Sequence, residues 1–133
     1  MAGLEVHLVT PEREVWTGEA DFVTARAVDG DLGVLPGHAP LLAALAVGPV
    51  FIDAGGSRIA VAVDGGFLHV APADDVTRVD ILAEHAVLPD ELAQDDPESH
   101  ERRAEELRSE DRLDEAREEQ AKAAVRRQVA ENG

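Results

Sequence analysis

The chain has 133 residues, no Cys, three Phe, one Trp and no Tyr, and a formal net charge of −16. That length allows one small globular domain with a short appendage, and its core must be built from Val, Leu, Ile and Ala. The missing Cys excludes disulfides, thiolate nucleophiles, iron–sulfur ligation and Cys-based zinc sites. The first hundred residues carry −14 of the charge and should repel phosphate backbones and anionic headgroups, so neither nucleic-acid nor bilayer binding is expected.

The first nine residues hold no basic cluster and no long apolar run, so no secretory signal is expected there. From residue 3 to about residue 88 the pattern is one of short strands and turns. Leu4, Val6 and Leu8 alternate with Glu5 and His7. Ile59, Val61 and Val63 alternate with Arg58, Ala60 and Ala62, and Thr77, Val79 and Ile81 alternate with Arg78 and Asp80. Period-two alternation buries one set of side chains and turns the other to solvent. Between these runs lie turn pairs: Asp29-Gly30, Pro36-Gly37, Gly48-Pro49, Gly55-Gly56 and Gly65-Gly66. In Leu35-Pro36-Gly37-His38, Pro presets the first central angle and Gly accepts the positive φ of a type II turn. Strands at this spacing predict an all-β sandwich or barrel over residues 1–88. The longest uncharged run, residues 39–52, is broken by Pro40 and Gly48-Pro49 and is too short to span a bilayer.

Residues 89–133 form a second region, a linker followed by a helical domain, so the fold class is α+β by segregation. The polar stretch 89–99 contains two Pro and predicts a linker or a short helical turn. Asp96 before Pro97 is an N-cap acceptor followed by Pro at the first helical position. Residues 98–130 hold neither Gly nor Pro and are rich in Glu, Arg and Ala. A break near Ser109 to Asp111 would make the segment a two-helix hairpin. Its large apolar residues are only Leu107, Leu113, Val125 and Val129. Burying four such side chains stabilises by at most about 6–12 kcal/mol. Ordering each backbone residue costs about 1–2 kcal/mol, offset mainly by the helix's own hydrogen bonds. Docking of the tail should be marginal, with its position set by partners.

No constellation of catalytic groups is visible. His7, His38, His69, His85 and His100 form no H-x-H or H-E-x-x-H pair, and none of the three serines lies in a nucleophile elbow. There is no P-loop, and Gly30, Gly33 and Gly37 lie in a strand–turn context that does not open a helix. The protein is expected to be no enzyme in its own right and to carry no cofactor or metal.

The stretch Gly30-Asp31-Leu32-Gly33-Val34-Leu35-Pro36-Gly37-His38-Ala39-Pro40-Leu41-Leu42 resembles the signature of epsilon subunits of bacterial F-type ATP synthases. Thr10-Pro11-Glu12-Arg13 with Trp16 and Gly18 resembles the first hairpin of that family. Val63-Asp64-Gly65-Gly66-Phe67-Leu68 and Val79-Asp80-Ile81-Leu82-Ala83-Glu84 resemble two of its later strands. The resemblance implies a sandwich of about ten strands and a C-terminal helical hairpin. It implies a rotor position in the central stalk, at the cytoplasmic face of the cell membrane, where the subunit fastens gamma to the polar loops of the c-ring during proton-driven ATP synthesis. In many bacteria the C-terminal helices also extend along gamma and inhibit ATP hydrolysis.

By position, Asp31 matches the acidic loop residue that meets the c-ring, and His38 matches a residue near the gamma contact. Arg126 and Arg127 keep the basic character that could meet an acidic segment of the catalytic beta subunit. Members that bind ATP through the tail carry an apolar-Asp-x-x-Arg-Ala run. Here Ser99 stands where that Arg would be, three residues after Asp96, so tight ATP binding is not expected. The alternative is a small β-sandwich interaction adaptor with a mobile helical tail and no link to a rotor.

Overall fold

Residues 3–132 are described by a computed structural model; positions 1, 2 and 133, the outer ends of the two expected regions, lie outside the described residues. Eight strands come first: β1 (Leu4–Val9), β2 (Glu14–Ala20), β3 (Phe22–Ala27), β4 (Gly30–Val34), β5 (Leu41–Ala54), β6 (Ser57–Ala73), β7 (Val76–Ala83) and β8 (Ala86–Val87). A 3-10 turn at Pro89–Glu91 leads to α1 (Pro97–Ser109) and α2 (Leu113–Asn132). The strands run in the order β2-β1-β7-β6-β5-β3-β4, with β8 added to β6. All neighbours are antiparallel except β1 and β7, which are parallel.

Two long strands turn this one sheet into a sandwich. β5 and β6 pair along their length, but the ladder skips Ala46 and Gly65 between Leu45↔Gly66 and Val47↔Asp64. On one side of that irregularity β6 pairs with β8, and on the other with β7, so the strand serves both layers. Counting β5 and β6 as two halves each brings the eight strands to the ten implied by the family resemblance. The inner faces meet in one cluster that includes Leu4, Val6, Leu8, Val23, Val34, Ile52, Val61, Leu68, Val79 and Ile81. These are the residues that period two places on one side of each strand.

One strand departs from simple alternation. Ala60 and Ala62, expected toward solvent, are buried, because Val125 and Val129 of α2 lie on them together with Val87. Small side chains on the outer face let a helix approach closely. Asp96 caps α1 by accepting a hydrogen bond from the Ser99 N–H at 2.8 Å, with Pro97 at the first position. The chain turns between the helices at Asp111, whose φ of 59° is a left-handed conformation that Asp tolerates better than most residues. This explains why no Gly or Pro marks the break. Ala104 and Leu107 of α1 and Ala116 and Ala123 of α2 are buried, and α1 meets the rest of the chain mainly through α2. Leu113, expected on the apolar stripe, is 47% exposed: it opens α2 at the hairpin turn, whereas the sheet is met farther along the helix, at Val125 and Val129.

Candidate interaction surfaces

The loop before β5 is built as a type II turn. Gly37 has φ +85°, and the His38 N–H donates to the Leu35 carbonyl at 3.0 Å. The Gly37 N–H donates to the hydroxyl of buried Thr77 at 2.7 Å, which ties the loop to β7. The half-buried His38 ring donates from Nδ1 to the Ala39 carbonyl at 2.7 Å, leaving its other nitrogen without a partner among the described residues. Asp31 lies on β4 directly across from Arg26 of β3, with Arg26 Nε 3.2 Å from Oδ1 and both side chains exposed. Such a pair contributes at most about 1 kcal/mol, so Asp31 remains open to another cation. Val28, at the turn before it, is also exposed.

The outer face of β5–β6–β7 is apolar where most outer faces are polar. Ala44, Phe67 and Leu82 stand side by side in register, and Leu42 precedes them on β5. Leu42 is 69% exposed, Phe67 53% and Leu82 52%. Phe67 and Leu82 also line a shallow groove with Val9 and Pro11. A contiguous exposed apolar patch of this kind marks a docking surface more often than chance scatter does. Asp31 and His38 therefore lie on the β3–β4 hairpin and on the loop that leads into this patch, while the patch itself escaped the sequence reading. Its signal was present, as Leu42, Phe67 and Leu82 occupy the solvent phase of their strands.

Arg126 and Arg127 are adjacent in sequence but differ completely in setting. Arg127 is exposed and pairs with Glu101 and, at 3.8 Å, with Glu98. Arg126 has a relative exposure of 0% and uses all five of its N–H donors. Nη1 and Nη2 grip Asp64 at 2.9 and 2.7 Å, Nε and Nη2 reach Asp95 at 3.2 and 3.0 Å, and Nη1 also donates to the Lys122 carbonyl at 3.1 Å. Asp95 further takes His85 Nε2 at 2.8 Å and His100 Nε2 at 2.5 Å, and His100 Nδ1 meets Glu119 at 2.9 Å. Burial opposes the ionised form of Asp95, but hydrogen bonds from Arg126, His100 and His85 outweigh it and hold the carboxyl well below its usual range. Burial likewise opposes the Arg126 cation, and the two carboxylates more than compensate. The partners of Arg126 were not foreseen; the available hint was its helical phase, one residue after Val125 and three before Val129, which sets it on their side of α2 while Arg127 points away.

No helix among the described residues is long and apolar enough to cross a membrane. The family model "ATP synthase, Delta/Epsilon chain, beta-sandwich domain" matches residues 3–89. A relative named ATP synthase epsilon chain, from Corynebacterium diphtheriae, is 42% identical over 131 residues, covering 97% of this chain and 98% of that protein. Another of the same name, from Frankia casuarinae, is 54% identical over 86 residues, which is 64% of this chain but 96% of that protein. Among solved structures, a chain of the Euglena gracilis mitochondrial ATP synthase, in an assembly of OSCP, F1 and c-ring, superposes with a TM-score of 0.70 at 27% identity, covering 99% of this chain and 79% of that one.

Proposed function

The chain belongs to the ATP synthase delta/epsilon family, and on that premise we propose how its surfaces serve a non-catalytic subunit of the central stalk of an F-type ATP synthase. The observation that carries the role is the end-to-end match: sandwich and hairpin together are shared with an epsilon chain over 97% of this sequence. Its partners are the gamma subunit and the c-ring, and the comparisons support this reading and not the unrelated adaptor.

The exposed patch of Leu42, Phe67 and Leu82 is assigned to gamma, with His38 on the loop beside it. Apolar side chains standing in water gain most from a permanent partner. Asp31, exposed and only weakly neutralised by Arg26, is assigned to basic loops of the c-ring. As part of that complex the chain is peripheral, and we assign it to the cytoplasmic face of the cell membrane. We divide the chain at residues 88 and 89 into sandwich and tail. In support, the Frankia relative is about as long as the sandwich alone. The tail is then an accessory that regulates hydrolysis, and Arg127 is its accessible contact for the catalytic beta subunit; Arg126 can join it only when α2 leaves the sheet.

The test is ATP hydrolysis by a catalytic head depleted of this subunit, with the full chain or a version ending at Leu92 added back. Both should bind gamma, and only the full chain should slow hydrolysis. Equal rates with both would remove the regulatory role and leave the coupling one. Failure of both to bind gamma would overturn the stalk assignment.

A further inference from the structure

We propose that Arg126 is the latch that decides whether the helical hairpin lies on the sandwich, closed on Asp64 of β6 and Asp95 of the linker, and that the tail moves by opening it.

Three observations lead there. The apolar contact between tail and sheet is thin: Val125 and Val129 rest mainly on Ala60, Ala62 and Val87, flanked by Val47, Phe51 and Leu92. Against this stands one side chain of α2 whose every donor is used, and which joins the sheet at Asp64 to the linker at Asp95. The second carboxylate passes the connection on to the segment after β7 through His85 and to α1 through His100, and His100 returns it to α2 at Glu119, itself paired with Lys122 at 3.0 Å. Sheet, linker and both helices thus meet at one hub.

A buried ion pair is poor glue. Its attraction is largely cancelled by the water its charges give up, and when the hairpin leaves the sheet Arg126, Asp64 and Asp95 regain that water. At Asp95 and Arg126 the hydrogen bonds outweigh that cost, so the pair favours the docked tail. It also forbids intermediates, because α2 shifted by a turn would leave a buried cation and a buried carboxylate unpaired. The result is a hairpin that is seated in one register or free. A surface that attracts Arg126 competes directly with Asp64 and Asp95, since the same guanidinium cannot serve both. This last consequence rests on the regulatory reading above; the latch itself does not.

The experiment is hydrogen exchange on the full-length protein and on Arg126→Met, Arg126→Lys and Asp64→Asn. Arg126→Met and Asp64→Asn should speed exchange of amides 120–130 at least tenfold and leave β1, β6 and β7 protected. Arg126→Lys, which keeps the charge but loses the fork, should fall between. Unchanged α2 exchange in Arg126→Met and Asp64→Asn would overturn the latch. So would parallel loosening of the sandwich, which would make Arg126 a general stabiliser, and so would an unaltered protein whose α2 already exchanges as fast as the variants. Hydrolysis measured alongside separates the two ideas: a released α2 without any change in inhibition sinks the regulatory reading while the latch stands.

Discussion

Gly66 runs against the backbone of Leu82: a Cβ placed on it would lie 2.1 Å from the Leu82 carbonyl oxygen and 2.9 Å from the Ala83 Cα. Its φ of +137° is also one that other residues rarely adopt. Both features arise where β6 changes layers. Gly66→Ala should therefore destabilise the sandwich by about 2–4 kcal/mol through strain and collision together. Urea unfolding of the full chain measures this, and a loss below about 1 kcal/mol would mean the strands can part without penalty.

Acid should undock the tail before it unfolds the sandwich. The carboxyl of Asp95 is lowered in the docked state, whereas in a released linker it titrates near the ordinary value of 3.8. A depressed carboxyl contributes its stabilisation above the released value and loses it as pH falls toward the docked one. Chemical shifts of α2 amides should hold down to about pH 5 and then move between about pH 4 and pH 2, while those of Val6 and Val79 in the sandwich interior stay. In Asp95→Asn that early step should vanish.

Phe67→Glu should weaken binding to gamma by at least about 2 kcal/mol, the scale of an interface anchor. Because Phe67 is 53% exposed, the thermal midpoint of the isolated chain should barely change. Calorimetry of the pair, with a melt of the variant alone, checks both halves. Unaltered affinity would move the gamma contact to another face.

Asp96→Ala should cost α1 about 1 kcal/mol by freeing the Ser99 N–H, and Asp96→Asn should recover most of it. Faster exchange confined to residues 98–101 is the expected signature. A change spread over β1 to β7 would contradict a local cap.

The sandwich was readable because its inner positions are Val, Leu and Ile at period two, and a buried face dictates that pattern whatever lies elsewhere. The cap at Asp96 and the turn at Pro36-Gly37 were readable for a similar reason: each is local chemistry within four residues. Ala60 and Ala62 defeated the same rule, since what covers them is α2, some sixty residues away. Arg126 shows the limit more sharply. Beside Arg127 it is one more basic residue of a charged helix, and only the placement of Asp64 and Asp95 makes one a buried hub and the other a solvated side chain. The strand count differed because a bent strand that serves two layers is one run of backbone but two runs of packing.

The parallel pairing of β1 with β7 joins Leu4 to Thr77, 73 positions later, and carries the N-terminal strand into the interior of the sheet. During synthesis β1 and β2 can form their hairpin at once, yet β1 keeps an open edge until the last long strand has left the ribosome. Closure therefore waits for nearly the whole sandwich, and contacts so distant along the chain make the step slow. For that interval the nascent chain displays an unpaired strand edge with Leu4, Val6 and Leu8 uncovered, which makes it a natural client for a chaperone. The tail, emerging afterwards, finds a finished surface on which to settle.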